Sequence, residues 1–413
     1  MSRILRLPSL TVTTRHSPAA YLWQHSHALP DAGVPVGINV LAGGVPLRYD
    51  PWSYYAVGIV TSPNMIVAGQ LGRGKSALVK TYLSRQIHAG RQAYVLDPKG
   101  EYRPLAVEAG MPVVTLAPGG STRLNPLDPP PGAAGGEQLT AARARVVAAL
   151  AGAGLRRPLN GEEHLAINAA VCDAREPVTL GQVTEALLHP SDRLAVAVST
   201  TPKALASAIR PMALELHRLL TGDLAGMLDG TSTVQLDPNG RGVVVDLSQV
   251  VNRDALTSVM VGAGAWLSAA IDLDTDQRRL LLVDEAWALL AQPATTAWLQ
   301  QVSKLARARG VQLITVIHRF SDLAAQTDVG TATRAQAEGL LADAETRVLY
   351  GQAPGERRLA AELLGLSGPE ADLVCRLGPY RALWRIGERT ALVDHILAES
   401  DGPLVDTDAR MRP

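Results

Sequence analysis

The segment GQLGRGKS, from Gly69 to Ser76, combines the residue types that bind phosphate groups. Glycines let backbone N–H groups approach an anion closely, and a helix that begins at the end of such a loop adds further N–H groups. The spacing fits GxxxxGK followed by Ser or Thr, in which the lysine, here Lys75, reaches the β- and γ-phosphates and the hydroxyl, here that of Ser76, binds magnesium. We therefore predict a site for ATP and Mg²⁺ whose nucleotide-binding residues are Gly69, Gly72, Arg73, Gly74, Lys75, Ser76 and Ala77.

A second motif, LLLVDEAWALL, ends an apolar run with two adjacent carboxylates, Asp284 and Glu285. Parallel sheets bind ligands at the carboxyl ends of their strands, so Asp284 is placed to anchor the magnesium ion. Glu285 is placed to polarise an attacking water, as a general base does. The alternative is an acidic strand end that caps the following helix. Because switch GTPases commonly orient water with a glutamine, the paired carboxylates favour hydrolysis over signalling.

Short apolar runs predict the sheet that positions these residues. They lie at residues 65–68, 93–97, 113–115, 242–247, 280–285 and 312–318, with a further run that begins at Arg347. Continuous apolar runs of this length are typical of strands that are buried on both faces of a parallel sheet. Helical sequence lies between them, so the predicted fold class is α/β with a mainly parallel central sheet.

The remaining segments differ in composition from this core. Residues 137–230 are rich in Ala and Leu and carry apolar residues at three- and four-residue spacing, which predicts an all-helical insertion. Residues 1–45, which include the alternating LTVTT, predict a short β-rich N-terminal segment. The core is therefore assigned to residues 46–136 and 231–400, and residues 401–413 to a C-terminal tail.

Composition limits the classes of partner. The chain of 413 residues has 39 Lys and Arg against 39 Asp and Glu, so its charge indicates no bulk polyanion binder and restricts DNA contact to local patches. Cys172 and Cys375 lack CxxC spacing, so we predict small core residues rather than a disulfide framework or zinc site. The uncharged segment 255–271 is shorter than a membrane span and predicts a buried helix. With no secretory signal visible in the first 30 residues, we expect the chain to act in the cytoplasm.

These motifs, taken in order, resemble those of P-loop ATPases of the HerA/FtsK superfamily, and within it the VirB-type ATPases of conjugation and type IV secretion. The resemblance runs from about Pro46 to Arg385 and rests on YDPW, SPNMIVAGQLGRGKS, LDPKGEY, LNPLDP, LLVDEAW and ARARGVQLITVIHR. It implies a RecA-like domain that assembles into a homo-oligomeric, hexameric ring and hydrolyses ATP with Mg²⁺.

The resemblance also implies catalytic roles for two residues outside the first two motifs. Arg307 matches the arginine that such ATPases insert into the neighbouring subunit's site, where it stabilises charge that develops on the γ-phosphate. Arg309 competes for this role, and a solvated charge at a helix end is the alternative. His318 stands where family members usually place a glutamine that senses the γ-phosphate. A neutral imidazole still donates one hydrogen bond, and the alternative is a satisfied polar group at a strand end.

A third group of residues follows the predicted strand at 93–97. The segment LDPKGEY carries Asp97, Lys99 and Glu101, and the resemblance places them on the same side of the sheet as the phosphate loop. We expect Asp97 or Glu101 to hold a magnesium-bound water. The alternative is a turn that local charge pairing stabilises.

Three functions are compatible with these motifs. The first is an ATP-hydrolysing ring motor that energises DNA or protein transfer in conjugation or type IV-like secretion, with channel proteins as partners at the cytoplasmic face of the inner membrane. The second is a HerA/FtsK-like DNA translocase in chromosome handling or repair, which shares every motif. The third is a regulatory assembly module with little turnover, against which Glu285 and Arg307 argue. Only some 45 residues precede the core, whereas secretion ATPases of this branch commonly carry a large docking domain there, so a shortened or stand-alone relative stays open.

Overall fold

The computed structural model describes residues 29–130, 135–271, 277–290, 293–318 and 332–406. In these residues one sheet contains eleven strands. They are β1 (Val34–Asn39), β2 (Val45–Tyr49), β3 (Met65–Ala68), β4 (Gln92–Asp97), β5 (Val113–Thr115), β6 (Gly242–Asp246), β7 (Arg279–Val283), β8 (Val311–Ile317), β9 (Thr346–Tyr350), β10 (Arg381–Ile386) and β11 (Arg389–His395). Their spatial order is β2-β1-β11-β10-β9-β3-β8-β7-β4-β6-β5.

The strands from β9 to β5 in this order are parallel neighbours and form the centre of the sheet. Every residue of β3, β4, β6, β7 and β8 is buried, which is what continuous apolar runs predict for strands covered on both faces. In β3, Met65 and Val67 pack into one core, and Ile66 and Ala68 pack into a second core on the opposite face. The predicted α/β class with a mainly parallel sheet is confirmed, and the carboxyl ends of these strands meet at one edge.

An antiparallel extension completes one side of the sheet. β10 pairs with β9 and β11, and β1 pairs with β11 and β2, all in antiparallel register. β1, the first strand of the described chain, therefore joins the sheet by pairing with β11, the last strand along the chain. β2 pairs with β1 at the edge of the sheet. The alternating segment LTVTT lies outside the described residues, and the limit of the N-terminal segment at residue 45 stays a prediction.

Helices cover both faces of the sheet. They are α1 (Pro51–Ala56), α2 (Lys75–His88), α3 (Arg103–Ala109), α4 (Glu137–Leu155), α5 (Gly161–Asp173), α6 (Leu180–Leu188), α7 (Asp192–Ala197), α8 (Pro202–Arg218), α9 (Arg253–Ile271), α10 (Trp287–Leu290), α11 (Pro293–Ala308), α12 (Ala332–Asp343), α13 (Arg357–Leu364), α14 (Gly368–Val374) and α15 (Gly402–Val405). Short 3-10 turns lie at Gly222–Leu224, Pro354–Glu356 and Glu399–Asp401. Apolar residues of α1, α2 and α3 pack on one face, and those of α4 to α9 on the other.

The segment predicted to be a helical insertion contains α4 to α8. In α8, apolar residues recur at three- and four-residue spacing and all are buried: Leu205, Ile209, Met212 and Leu216. The Thr201 hydroxyl caps the start of this helix by accepting from a backbone N–H. The limits of the insertion at residues 137 and 230 stay a prediction.

Two sequence predictions about single segments have clear outcomes. Residues 255–271 belong to α9, where Val259, Met260 and Leu267 are buried as expected. The prediction that both cysteines lie in the core is wrong, because Cys172 is exposed and Cys375 is half-buried. Cys172 lies in α5 just beyond its apolar stripe, so its position on the helix outweighs the general preference of cysteine for burial. Within the described residues, no helix is long and apolar enough to span a membrane.

Candidate active site

The predicted phosphate loop connects the end of β3 to the start of α2. Gly69 adopts a φ of 152°, and a Cβ atom there would lie 2.5 Å from the Cβ atom of Tyr350 in β9. Gly74 caps the N-terminus of α2 with a φ of 101°, which side chains disfavour. Both glycines are required for this loop to fold closely over the sheet, and the free N–H groups of the first turn of α2 face the loop.

Lys75 is the first residue of α2, and only 3% of it is exposed. Its ammonium group donates to the backbone oxygens of Gly69 at 2.5 Å and Gln70 at 2.8 Å. Burial lowers the pKa of Lys75 to about 8, and the charge of Asp284 opposes this change. In the described part of the chain, the loop therefore encloses a cation that donates to neutral carbonyl groups, and a phosphate would offset its charge better.

The other predicted nucleotide-binding residues surround Lys75. In the first turn of α2, Ser76 is half-buried and Ala77 is buried, whereas Gly72 is exposed in the loop. Arg73 Nη2 donates to Gln70 Oε1 at 3.3 Å. The structure thus brings these residues together in one loop and one helix start, and their contact with nucleotide stays a prediction.

Asp284 directly follows β7, which is separated from β3 by β8 in the sheet. It is 3% exposed, and its Oδ1 accepts from the backbone N–H of Glu285 at 2.9 Å. Burial, and after it the charge of Glu285, raise the pKa of Asp284 to about 6 against the opposing charge of Lys99. A bound cation would favour the charged carboxylate, so the position suits a metal ligand.

Glu285 is held by two donors from other parts of the chain. Its Oε1 lies 2.8 Å from His318 Nε2 and is also in contact with Lys99 Nζ, which itself lies 3.1 Å from His318 Nε2. Burial raises the pKa of Glu285, but the hydrogen bonds and charges of His318 and Lys99 outweigh it and bring the pKa to about 2. The residue has a φ of 53°, an uncommon conformation that surrounding contacts must maintain.

The donor atoms of Asp284, Glu285 and His318 all lie within 4.8 Å of one another, close enough to hold one metal ion. Magnesium prefers oxygen ligands, and the carboxylate of Asp284 with the hydroxyl of Ser76 supplies that chemistry. His318 Nδ1 is buried without a hydrogen-bond partner among the described residues. The donor set fits Mg²⁺ at Asp284, whereas the imidazole is better suited to hydrogen bonding than to magnesium coordination.

Asp97 stabilises the turn that follows β4. It is fully buried, and its Oδ1 accepts from the backbone N–H groups of Gly100 at 2.8 Å and of Lys99 and Glu101 at 3.2 Å. Its Oδ2 accepts from the Tyr102 N–H at 2.8 Å. Because both oxygens are used locally, this geometry favours the turn-stabilising alternative for Asp97, and the contact with a magnesium-bound water stays a prediction.

Glu101 and Lys99 leave this turn in different directions. Glu101 Oε2 lies 3.9 Å from the buried ammonium group of Lys80 in α2, whereas Lys99 reaches Glu285. Sequence reasoning assigned no role to Lys99. The structure supplies the reason for its contact, since β4 pairs with β7 and the loops that follow these strands are neighbours.

Arg307 belongs to α11, but its side chain lies outside the described part of the structure, so its role stays a prediction. The competing residue, Arg309, follows α11 and is half-buried.

No protein-family model matches this sequence, and no curated protein matches it. Among solved structures, VirB4 of Thermoanaerobacter pseudethanolicus is similar with a TM-score of 0.74 and 20% identity over 92% of this chain and 100% of that chain. The plasmid coupling protein TrwB in complex with ADP and Mg²⁺ has a TM-score of 0.61 and 14% identity over 90% of this chain and 91% of that chain. The unbound conjugative coupling protein TrwB has a TM-score of 0.60 and 13% identity over 90% of this chain and 90% of that chain. These likenesses confirm, at the level of fold, the expected resemblance to VirB-type P-loop ATPases.

Proposed function

We propose that this chain is a Mg²⁺-dependent ATPase that energises DNA or protein transfer in conjugation or type IV-like secretion. One observation carries the proposal: Lys75, Asp284 and Glu285 converge at the carboxyl edge of the parallel sheet. The fold that holds them is similar to VirB4 over the whole length of that chain. The coupling protein TrwB, whose fold is also similar, has been solved with ADP and Mg²⁺.

Each residue has a distinct task in this proposal. Lys75 and the N–H groups of α2 bind the β- and γ-phosphates, for which the loop already encloses a cation. Ser76 and Asp284 hold Mg²⁺, which when bound offsets charge on the phosphates. Glu285 accepts a proton from the attacking water, since it is ionised at neutral pH.

Lys99 and His318 must release Glu285 before it can act. A carboxylate with a pKa of about 2 that accepts from two donors is a poor base. The γ-phosphate is the anion best placed to attract Lys99 and His318, because both donors meet at the carboxylate that must face it. In this proposal the imidazole of His318 donates to the γ-phosphate in place of the usual glutamine.

Arg307 extends the site to a second subunit in this proposal. An arginine offered to a neighbour makes a head-to-tail contact, which repeats until a ring closes, and six subunits are the expected number. We propose that such a ring works at the cytoplasmic face of the membrane, with channel proteins and DNA as partners.

The test is phosphate release by the purified chain with Mg²⁺ and ATP, in the presence and absence of single- and double-stranded DNA. Lys75→Ala should abolish release because it removes the cation of the phosphate loop, and Lys203→Ala, on the exposed surface of α8, is the matched control. Phosphate release by Lys75→Ala at the wild-type rate would reject the assignment. Stimulation by DNA would support a DNA-transfer motor over a regulatory module with little turnover.

A further inference from the structure

The position of the carboxylates fixes the direction in which a bound nucleotide must run. Its γ-phosphate has to lie near Glu285, beyond β8 and on the β7 side of the phosphate loop. The ribose and base extend from the opposite end of the phosphate chain. They must therefore lie on the other side of β3, above the ends of β9 and the start of β10.

Tyr380 lies at this place, immediately before β10. Its backbone N–H donates to the oxygen of Arg73 at 2.9 Å, and its own oxygen accepts from the N–H of His395 at 2.8 Å. A Cβ atom added to Gly74 would come within 2.9 Å of Tyr380 Cδ1. The ring is thus in contact with the last residue of the phosphate loop.

The conformation of Tyr380 is unusual for a large residue. Its φ is 58°, in the left-handed region, where a bulky non-glycine residue is an outlier that surrounding contacts must maintain. The strain does not serve to bury the ring, because Tyr380 is 44% exposed. Two backbone hydrogen bonds instead hold Tyr380, with its partly exposed ring, beside the phosphate loop.

Arg73 borders the same space. A Cβ atom added to Gly351, just beyond β9, would lie 3.4 Å from Arg73 Nε, so the guanidinium stem crosses the end of that strand. The loop is also tied to β9 by the N–H of Gln70, which donates to the oxygen of Gly351 at 3.0 Å. An aromatic ring and a cationic side chain therefore flank this end of the phosphate loop.

We propose that Tyr380 is the platform on which the base of the bound nucleotide stacks, with Arg73 at its edge. This inference rests on the proposed nucleotide binding at Lys75 and specifies how that site recognises the base. Every nucleobase has a π-face, so stacking on one ring depends little on base identity. ATP and GTP should therefore both use Tyr380, and a bare polyphosphate should not.

The experiment compares two ligands that share their phosphates. Isothermal titration of the full chain with Mg²⁺ measures the Kd for ATP and for inorganic tripolyphosphate in wild type, Tyr380→Ala and Tyr380→Phe. Tyr380→Ala should weaken ATP binding by about fivefold to about 150-fold, which is the range for loss of one base–aromatic stack, and leave the Kd for tripolyphosphate within about twofold. Tyr380→Phe keeps the ring and should retain ATP affinity.

A further variant distinguishes the effect of losing the ring from the effect of backbone strain at Tyr380. Tyr380→Gly removes the ring but adopts the positive φ without strain, so it should match Tyr380→Ala. If either variant weakens the binding of tripolyphosphate as much as that of ATP, Tyr380 only supports the loop. If both variants bind ATP with unchanged affinity, the platform is also overturned. Wild-type protein that binds neither ligand would instead contradict the proposed nucleotide site itself, and the platform with it.

Discussion

Replacing Asp284 by asparagine should stabilise the metal-free protein while abolishing its ATPase activity. Asp284 is 3% exposed, and burial together with the charge of Glu285 raises its pKa from 3.8 to about 6. A carboxyl group whose pKa is raised by folding reduces the free energy of unfolding wherever it is ionised. Asparagine keeps an oxygen that accepts from the Glu285 N–H and cannot ionise.

The magnitude follows from the pKa values. A change from 3.8 to about 6 is worth about 3 kcal/mol at about 1.4 kcal/mol for each unit. Below pH 3.8 the carboxyl group is protonated in both states and there is no penalty. The penalty grows between pH 3.8 and 6 and is complete above pH 6. Asp284→Asn should therefore raise the free energy of unfolding by up to about 3 kcal/mol at pH 8, and by much less near pH 4.

Urea unfolding in EDTA at several pH values measures this difference. Asp97→Asn is the matched comparison, because Asp97 is also buried but accepts from four backbone N–H groups. An amide nitrogen cannot accept, so Asp97→Asn should lose stability near pH 4. Burial also raises the pKa of Asp97, so removal of its charge should offset part of this loss at pH 8. A loss of stability in Asp284→Asn at pH 8, or a gain that is the same at pH 4 and pH 8, would refute the reasoning.

The other predictions concern turnover. Glu285→Gln should retain bound ATP in a filter-binding assay while phosphate release falls about 10²- to 10⁴-fold, and release at the wild-type rate would leave Glu285 with a structural role. Lys99→Met should lower kcat with little change in KM because, in the proposed mechanism, Lys99 leaves Glu285 and donates to the γ-phosphate, and Lys99→Arg should recover part of the rate; equal loss in both variants would contradict a charge-based role. Mixed Lys75→Ala and Arg307→Ala subunits should regain activity if Arg307 completes a neighbour's site. If subunits exchange but the mixture stays inactive, and Arg309→Ala complements Lys75→Ala instead, Arg309 has that role.

The elements that carry the candidate site were predictable because their signals are local. The apolar run of β3 leads directly into the glycine loop, and the run of β7 leads directly into Asp284. A strand buried on both faces requires such a run, and a close turn requires glycine, as Gly69 and Gly74 show. A single window of sequence contains all of this information.

β10, β11 and the pairing of the N-terminal strands with them were not predicted, because this pairing is distant in sequence. β1 joins β11 with Gly37 opposite His395, and β10 and β11 both carry charged residues that interrupt their apolar runs. The contacts of Lys99 and Tyr380 have the same origin. Lys99 meets His318 219 residues further along the chain, and Tyr380 meets Arg73 only because β10 folds back beside β9.

On the proposed function, the contacts of Glu285 link its basicity to the binding of substrate. Lys99 and His318 contact one carboxylate oxygen of Glu285, and their hydrogen bonds and charges bring its pKa to about 2. Both donors come from neighbouring strand ends, β4 and β8, on either side of β7, so a γ-phosphate between them competes for the same hydrogen bonds. In the proposed function, transfer of these donors to the phosphate raises the pKa of Glu285 when water and phosphate are both bound. The proposed site thus holds its base inactive until the group to be hydrolysed accepts the hydrogen bonds from Lys99 and His318.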